Sequence, residues 1–446
     1  MRLSARLLRV QAVLLLCLLM SLCGYPCAIA RAAVANVQRV SDNPDAELKD
    51  FDLVRLQEQL RTMPPGAERN YFAGVLANRE GRPADSIRLL EKALPKIRAT
   101  DSARAIIALQ SLADDFTKTF RYREADSVYE DLLSHFATQM DPQELLATQH
   151  SAGEVHILRD APPQTIDLRG PVRLKIKRNP IGFWVARLKV NSVSGPWLLD
   201  TGANMSLVSR SFARRLGLKP LPGEAEGRGG TGIETPEQIA LLPSLSIGGA
   251  TLHNVVVLIL DDADLNLRLG RLHYQIEADL GYPVLRALGA ITFYQDGRFE
   301  AGAATRANTT DTRMFMHVMM PVIECGVEGE ELPFSFDTGA FGAQLSMRYY
   351  QRFRGESRSW KKATNTDWGV GGVVKRKIYI QPNLELTVGA AKTTLAHVPI
   401  FPEHLNASAS DDTYGTLGPS FAKGFASFTI DFNTMTFSLG PALHKP

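Results

Sequence analysis

The chain has 446 residues with 50 Lys plus Arg, 47 Asp plus Glu and a formal net charge of +3. That length is too great for one compact domain and predicts two or three. An apolar fraction of 45% with 22% charged residues is ordinary globular composition and excludes a disordered or fibrous chain.

Arg2, Arg6 and Arg9 form a basic start, Ala12 to Leu22 an apolar run, and Ala28-Ile29-Ala30 a small-residue cleavage site. The apolar run is too short to span a bilayer comfortably, so residues 1–30 read as a signal peptide cut near Ala30 or Ala32. An uncleaved N-terminal anchor is the alternative. Cys23 follows Leu22, which is too large for a lipoprotein signal. Cleavage predicts an exported protein, periplasmic or extracellular, with no stable membrane insertion. Residues 1–30 hold three Arg and no acid, so the charge of +3 falls to zero without them, and no broad basic surface for nucleic acid is implied. Cys17, Cys23 and Cys27 leave with the leader, so Cys325 alone remains and no intramolecular disulfide can form.

Residues 46–160 are rich in Leu, Ala, Glu and Arg with helical periodicity. A weak repeat lies inside: Arg82-Pro83-Ala84-Asp85-Ser86-Ile87 matches Arg123-Glu124-Ala125-Asp126-Ser127-Val128, 41 positions later. With the segment Tyr71-Phe72-Ala73-Gly74, this region resembles tetratricopeptide units in part; a plain helical bundle is the alternative. Such a region either recruits a protein partner or substrate or acts as a propeptide.

From about residue 165 the segments are strand-like, as in Phe183 to Val190, Ile239 to Ile247, Met314 to Cys325 and Phe425 to Phe432. A small, polar joint at 301–313 separates two β-rich blocks, 165–300 and 312–442. The blocks copy each other. Asp200-Thr201-Gly202-Ala203 recurs as Asp337-Thr338-Gly339-Ala340, 137 positions on, each after an apolar lead-in. Leu280-Gly281 and Leu417-Gly418 follow the two Asp residues with the Gly 81 positions on in both cases. Leu245-Ser246-Ile247-Gly248 matches Leu386-Thr387-Val388-Gly389 at the larger offset of 141, which places a short insertion between motif and strand in the second block. One such tripeptide arises by chance in about one chain in ten of this length. Two copies with matched Gly motifs do not.

Two carboxylates a few ångströms apart cannot both ionise cheaply, so the pair holds one proton and can activate a water. On these motifs residues 170–440 resemble the retropepsin/pepsin superfamily of aspartic proteases, especially bacterial retropepsin-like proteins with two lobes in one chain. The resemblance implies a mainly β fold of two duplicated acid-protease β-barrel lobes behind the helical region. It implies an aspartic endopeptidase, a hydrolase of peptide bonds in peptide or protein substrates, with Asp200 and Asp337 catalytic. It also implies that Thr201 and Thr338 cross-link the Asp loops, that Gly202 and Gly339 allow their turns, and that Gly281 and Gly418 pack behind them. Family members close a Gly-rich hairpin flap over substrate. The candidates are Gly227 to Gly232, which includes Gly229 and Gly230, and Trp368 to Gly372, which includes Gly371. Ordinary hairpin tips are the alternative.

The second motif departs from the pattern. Phe341 stands where a small polar residue is usual, and the following apolar position is shifted by one. A catalytically inactive two-lobed peptide-binding module, or regulatory pseudoprotease, is therefore the competing reading. The nine His residues show no metal-ligand spacing, and no metal or other cofactor is expected. Asp261, Asp262 and Asp264, and Asp411 and Asp412, precede the Gly motifs and read as solvated loop charges.

Overall fold

The computed structural model describes residues 43–269, 272–302, 311–404 and 412–443. The expected leader, most of the polar joint and Asp411 lie outside them. Among the described residues no helix is long and apolar enough to cross a membrane.

Among the described residues seven α-helices come first: α1 (Pro44–Asp50), α2 (Leu53–Thr62), α3 (Ala67–Arg79), α4 (Pro83–Thr100), α5 (Ser102–Lys118), α6 (Tyr122–Phe136) and α7 (Pro142–Leu158). Asn43, Asp52, Asp101 and Asp141 start four of them by accepting a first-turn backbone N–H. Gly81 (φ +67°) ends α3 and Phe120 (φ +59°) ends α5. After each, the next amide folds back, Arg82 N–H to Ala77 O at 2.9 Å and Arg121 N–H to Phe116 O at 2.8 Å.

Those matched ends correct the repeat. Structurally equivalent helices begin at Pro83 and Tyr122, 39 positions apart rather than the 41 of the matched phrases. Burial follows the shorter offset, pairing Ser86 with Ala125, Ala93 with Leu132 and Ile97 with Phe136, all buried. A slip of two residues turns a helical position by about 200°. Ser127, which the phrases align with buried Ser86, is accordingly exposed.

The β-rich part is built from two sets of strands with the same pairings. In the first, Ala278–Leu280 lies parallel to Val193–Leu199 and antiparallel to Ser206–Ser209. In the second, Gly415–Leu417 lies parallel to Glu330–Phe336 and antiparallel to Gln344–Leu345. Long hairpins turn at Gly248 and Gly389, each with φ +56°, so the Leu-Ser-Ile-Gly and Leu-Thr-Val-Gly phrases occupy equivalent turns.

A six-stranded sheet joins the sets in the order Val172–Arg178, Arg298–Ala301, Ala290–Tyr294, Ser427–Asp431, Thr436–Leu439, Thr312–His317. Thr292 faces Thr429 at its centre, with the hydroxyls 2.8 Å apart. Ile291 faces Ile430 and Phe293 faces Phe428, so the register is mirrored about that Thr pair. Thr292 and Thr429 are 137 positions apart, the offset of the two Asp-Thr-Gly phrases. One continuous buried cluster runs through both sets and includes Trp197, Phe293, Phe336 and Phe428.

The helices share cores with both sets. Phe315 and Val322 belong to the apolar cluster of α1–α7, while Tyr122 and Leu158 pack with Leu207 and Ile239. Phe51 is 5% exposed, sits edge-on to Phe315 at 6.3 Å and stacks on His317 at 5.8 Å. Truncation of a buried Phe leaves a cavity that neighbours fill only in part. Phe51→Ala is expected to lower the unfolding free energy by about 3 kcal/mol in denaturant titration, and an unchanged midpoint would show that this contact does not couple the helices to the second set.

Candidate active site

Each aspartate is delivered by the end of a buried strand. Trp197 and Leu199 are inward on Val193–Leu199, as Phe334 and Phe336 are on Glu330–Phe336. The Asp200 N–H donates to Leu280 O and the Asp337 N–H to Leu417 O, both at 3.0 Å. The parallel crossing strands thus fix where each strand stops and its turn begins.

The two turns hold each other. The Thr201 N–H donates to Thr338 Oγ1 at 2.9 Å, and the Thr338 N–H to Thr201 Oγ1 at 3.1 Å. Each hydroxyl then donates onward across the boundary, Thr201 to Phe336 O at 3.2 Å and Thr338 to Leu199 O at 2.6 Å. Thr201 and Thr338 are fully buried or nearly so, and their hydroxyls and amides are paired. Each carboxylate accepts the N–H of its own glycine, Gly202 on Asp200 Oδ1 and Gly339 on Asp337 Oδ1, both at 2.7 Å. A Cβ on Gly202 would run into the Asp337 carboxyl, and one on Gly339 into the Asp200 carboxyl. Glycine is required here by close approach, since neither residue has a positive φ.

Behind the turns, a Cβ on Gly281 would lie 2.5 Å from the Met205 carbonyl carbon, and one on Gly418 2.8 Å from both Ala340 O and Gly342 O. The irregular second motif leaves its trace at this level. The strand after Asp200 is Ser206–Ser209, while the one after Asp337 is Gln344–Leu345, one position later and two residues shorter. In the first set Gly281 N–H donates to the Ser206 hydroxyl at 3.1 Å; in the second Gly418 N–H reaches the Gly342 carbonyl at 3.1 Å. A backbone acceptor replaces the side-chain one. Phe341 leaves the turn and places its ring 4.6 Å from Phe183 in the other set, remaining 46% exposed.

Burial pushes the Asp337 carboxyl well above the usual carboxylate range, and the charge of Asp200 and a hydrogen bond with it push the same way. Backbone donors at Gly339 and Ala340 oppose the shift. A third acid stands beside the pair. Asp279, on the crossing strand two residues before Gly281, is 4% exposed, and its Oδ1 is buried without a hydrogen-bond partner. Burial first, then Asp200 and Asp337, raise it well above the ordinary range. The signal was present in the sequence as one acid in Ala278-Asp279-Leu280, where the second block has Thr416. Its burial depends on the fold.

The two Gly-rich hairpins meet. Ala225–Arg228 pairs with Glu234–Ile247, and Lys361–Gly369 with Gly372–Val388. Gly371 makes the second turn at φ +85°. The Thr231 hydroxyl donates to Val370 O at 2.7 Å, Arg376 Nη2 donates to Thr231 O at 3.1 Å, and a Cβ on Gly229 would lie 2.8 Å from that of Val370. Gly230 has open space at the first tip, and Trp368 pairs with Val373 at the base of the second turn. Helix α7 braces the first hairpin, with Arg228 Nη1 donating to Gln143 Oε1 at 3.1 Å.

Three of the acids before the Gly motifs have partners. Asp261 meets Arg210, Asp262 accepts the Ser211 N–H at 2.9 Å, and Asp412 lies 2.7 Å from His317 Nε2. Asp126, Glu130 and His156 cluster on α6 and α7 with ligand atoms within 4.8 Å of one another; His156 Nδ1 lies 3.1 Å from Asp126 Oδ1, and Arg159 Nη1 lies 2.6 Å from His156 Nε2.

Thr201→Val and Thr338→Val each leave a buried amide of the opposite loop without its acceptor. Each is expected to destabilise the fold by about 2 kcal/mol and by similar amounts, because the two make the same bonds; a neutral effect of either in equilibrium denaturation would contradict the reciprocal geometry.

Residues 186–284, from the strand Trp184–Val190 to the helix after Gly281, match the family described as aspartyl protease. No curated protein matches the chain. The matched stretch holds the Asp200 turn, the first hairpin and the Gly281 crossing, and it supports a hydrolase of the aspartic protease type acting on peptide or protein substrates.

Proposed function

We propose that the chain is an exported aspartic endopeptidase of two duplicated lobes in which Asp200 and Asp337 activate one water. The observation that carries the reading is the reciprocal Thr201 and Thr338 bonding, which leaves each carboxyl over the other loop's glycine. The equal offset of 137 at the Asp pair and at the Thr292–Thr429 pair supports the duplication. The meeting hairpin tips support a substrate channel covered from both sides.

The chemistry follows from one shared proton. The ionised carboxyl takes a proton from water as the water oxygen attacks the peptide carbonyl carbon, and the protonated one donates to the carbonyl oxygen. In the resulting diol the C–N bond breaks, the first carboxyl protonates the leaving nitrogen, and the second recovers its proton from the diol hydroxyl. Water and peptide become acid and amine, and the pair returns to its starting state. Because Asp337 holds its proton above the usual range, cleavage persists above the usual carboxylate range and is lost as rising pH removes that proton.

Asp200→Asn and Asp337→Asn are each expected to lower kcat/KM on a cleaved protein substrate by about 10³-fold or more, with the fold intact by circular dichroism. Unchanged cleavage by either variant would refute the assignment. A peptide bound but recovered intact by the wild type from acidic to neutral pH would favour the inactive binding module instead.

The leader supports export, and the cores shared by helices and strands support retention of α1–α7 as a docking surface for a protein partner or substrate rather than removal as a propeptide. N-terminal sequencing of protein from expressing cells is expected to begin near residue 31 or 33 in the exported fraction; a cytoplasmic chain beginning at Met1 would contradict export.

A further inference from the structure

The second Gly-rich hairpin carries a charge that its own residues do not balance. Residues 361–379 hold five cations, Lys361, Lys362, Lys375, Arg376 and Lys377, against one acid, Asp367. The chain beyond residue 30 has no net charge, so this excess is local.

Strand alternation sorts these groups onto two faces. Lys362, Thr364 and Thr366 stand opposite Tyr379, Lys377 and Lys375 and share one face with them. Val373, Lys375 and Lys377 are exposed, while Val374 and Arg376 between them are half-buried and Ile378 is buried. Lys362 and Thr364 are exposed as well. The other face is turned to the molecule. There Arg376 Nη2 donates to Thr231 O of the first hairpin at 3.1 Å, and Arg376 Nε lies 3.1 Å from Asp367. The one acid of the stretch is thus engaged on the side away from the three lysines. At the base of the outer face Tyr379 stacks on Tyr350 with ring centroids 5.4 Å apart, which anchors that end of the ribbon.

The backbone adds an independent feature. Among the described residues Lys361–Gly369 pairs with Gly372–Val388 alone, so its other side is an open row of amides and carbonyls. Such an edge accepts a further strand. The lysines decide which strand that is. Lys375 and Lys377 are about 7 Å apart along one strand, and Lys362 lies diagonally from Lys377 at about 7–8 Å. These spacings are no longer than the Debye length of about 8 Å at physiological salt. The three therefore repel one another and any basic strand, a second copy of this hairpin included. An acidic strand relieves the repulsion.

We propose that the outer face and open edge of Lys361–Gly369 are a docking surface for an extended acidic segment of a partner protein. The segment adds as a strand, with alternate Asp or Glu side chains toward Lys362 and, across the short Thr364 and Thr366, toward Lys377 and Lys375. A lipid surface or a nucleic acid would answer the charge but not the open edge, which a polypeptide backbone alone can pair. The turn at Val370 is moreover tied to the Thr231 hydroxyl at 2.7 Å and is not free to enter a bilayer. The surface makes no use of Asp200 or Asp337.

The test uses the full chain carrying Asp337→Asn, so that no cleavage intervenes, and a short fluorescent peptide in which Glu alternates with Thr. Anisotropy is expected to show saturable binding. Lys362→Gln, Lys375→Gln and Lys377→Gln together are expected to weaken it about tenfold, the sum of three exposed ion pairs, with the fold intact by circular dichroism. Lys in place of Glu in the peptide is expected to abolish binding. N-methylation of alternate peptide amides separates strand addition from charge alone: one of the two methylated sets is expected to lose binding and the other to keep it. Equal binding of both sets, or unchanged affinity of the triple Gln variant, would overturn the proposal. Lysine-dependent binding of phosphatidylglycerol vesicles or of a single-stranded oligonucleotide, with no binding of the peptide, would overturn it in favour of a lipid or nucleic-acid partner. Because Asp337 is replaced throughout, failure here leaves the peptidase reading standing, and an inactive wild type leaves this surface standing.

Discussion

The site rests on an exchange of two hydroxyls. Thr201 and Thr338 each accept the other's amide and pass their own proton to a carbonyl at the end of the opposite strand. These bonds are buried, so losing one acceptor strands a donor away from water and costs more than the bond itself contributes when made. The turns are consequently locked as a unit, and the two aspartates beside them have little freedom to separate. The joining sheet does the same at larger scale, with Thr292 against Thr429 and the apolar Ile291, Ile430, Phe293 and Phe428 on either side. Position at the dyad is thus specified twice by contacts that are independent in sequence.

Symmetry of the backbone coexists with asymmetry of the chemistry. The second turn replaces a Ser206 hydroxyl with the Gly342 carbonyl and begins its following strand one residue later. Phe341, which makes that motif look unusual, spends its ring on Phe183 and leaves the bonds of Thr338 and Gly339 in place. Electrostatically the halves part at Asp279 and Thr416. A buried acid beside Asp200 costs desolvation that the fold must offset, and this kind of expense concentrates at working sites.

Much of this was legible along the chain, and the failures have physical reasons. The 137 and 81 intervals relate residues that share a backbone path, and backbone paths are repeated when strands and turns are repeated. The helical phrases mislead because identity at exposed polar positions carries less register information than the buried face does; Ser86 and Ser127 match in letters while Ala125 holds the buried place. Asp279 escapes a reading by motif because an acid in a short apolar run is compatible with a solvated strand end, and only the parallel pairing with Val193–Leu199 puts it under Asp200. Contact between the two hairpin tips likewise depends on the relative placement of segments some 140 residues apart, for which local pattern holds no information.

The central claim is that two carboxyls from separate turns share one water. Diffraction to atomic resolution from crystals of the free protein tests it most directly. A single ordered water is expected within about 2.6–3.2 Å of an oxygen of both Asp200 and Asp337. A water held by one carboxyl alone, or carboxyls too far apart to share one, would contradict it.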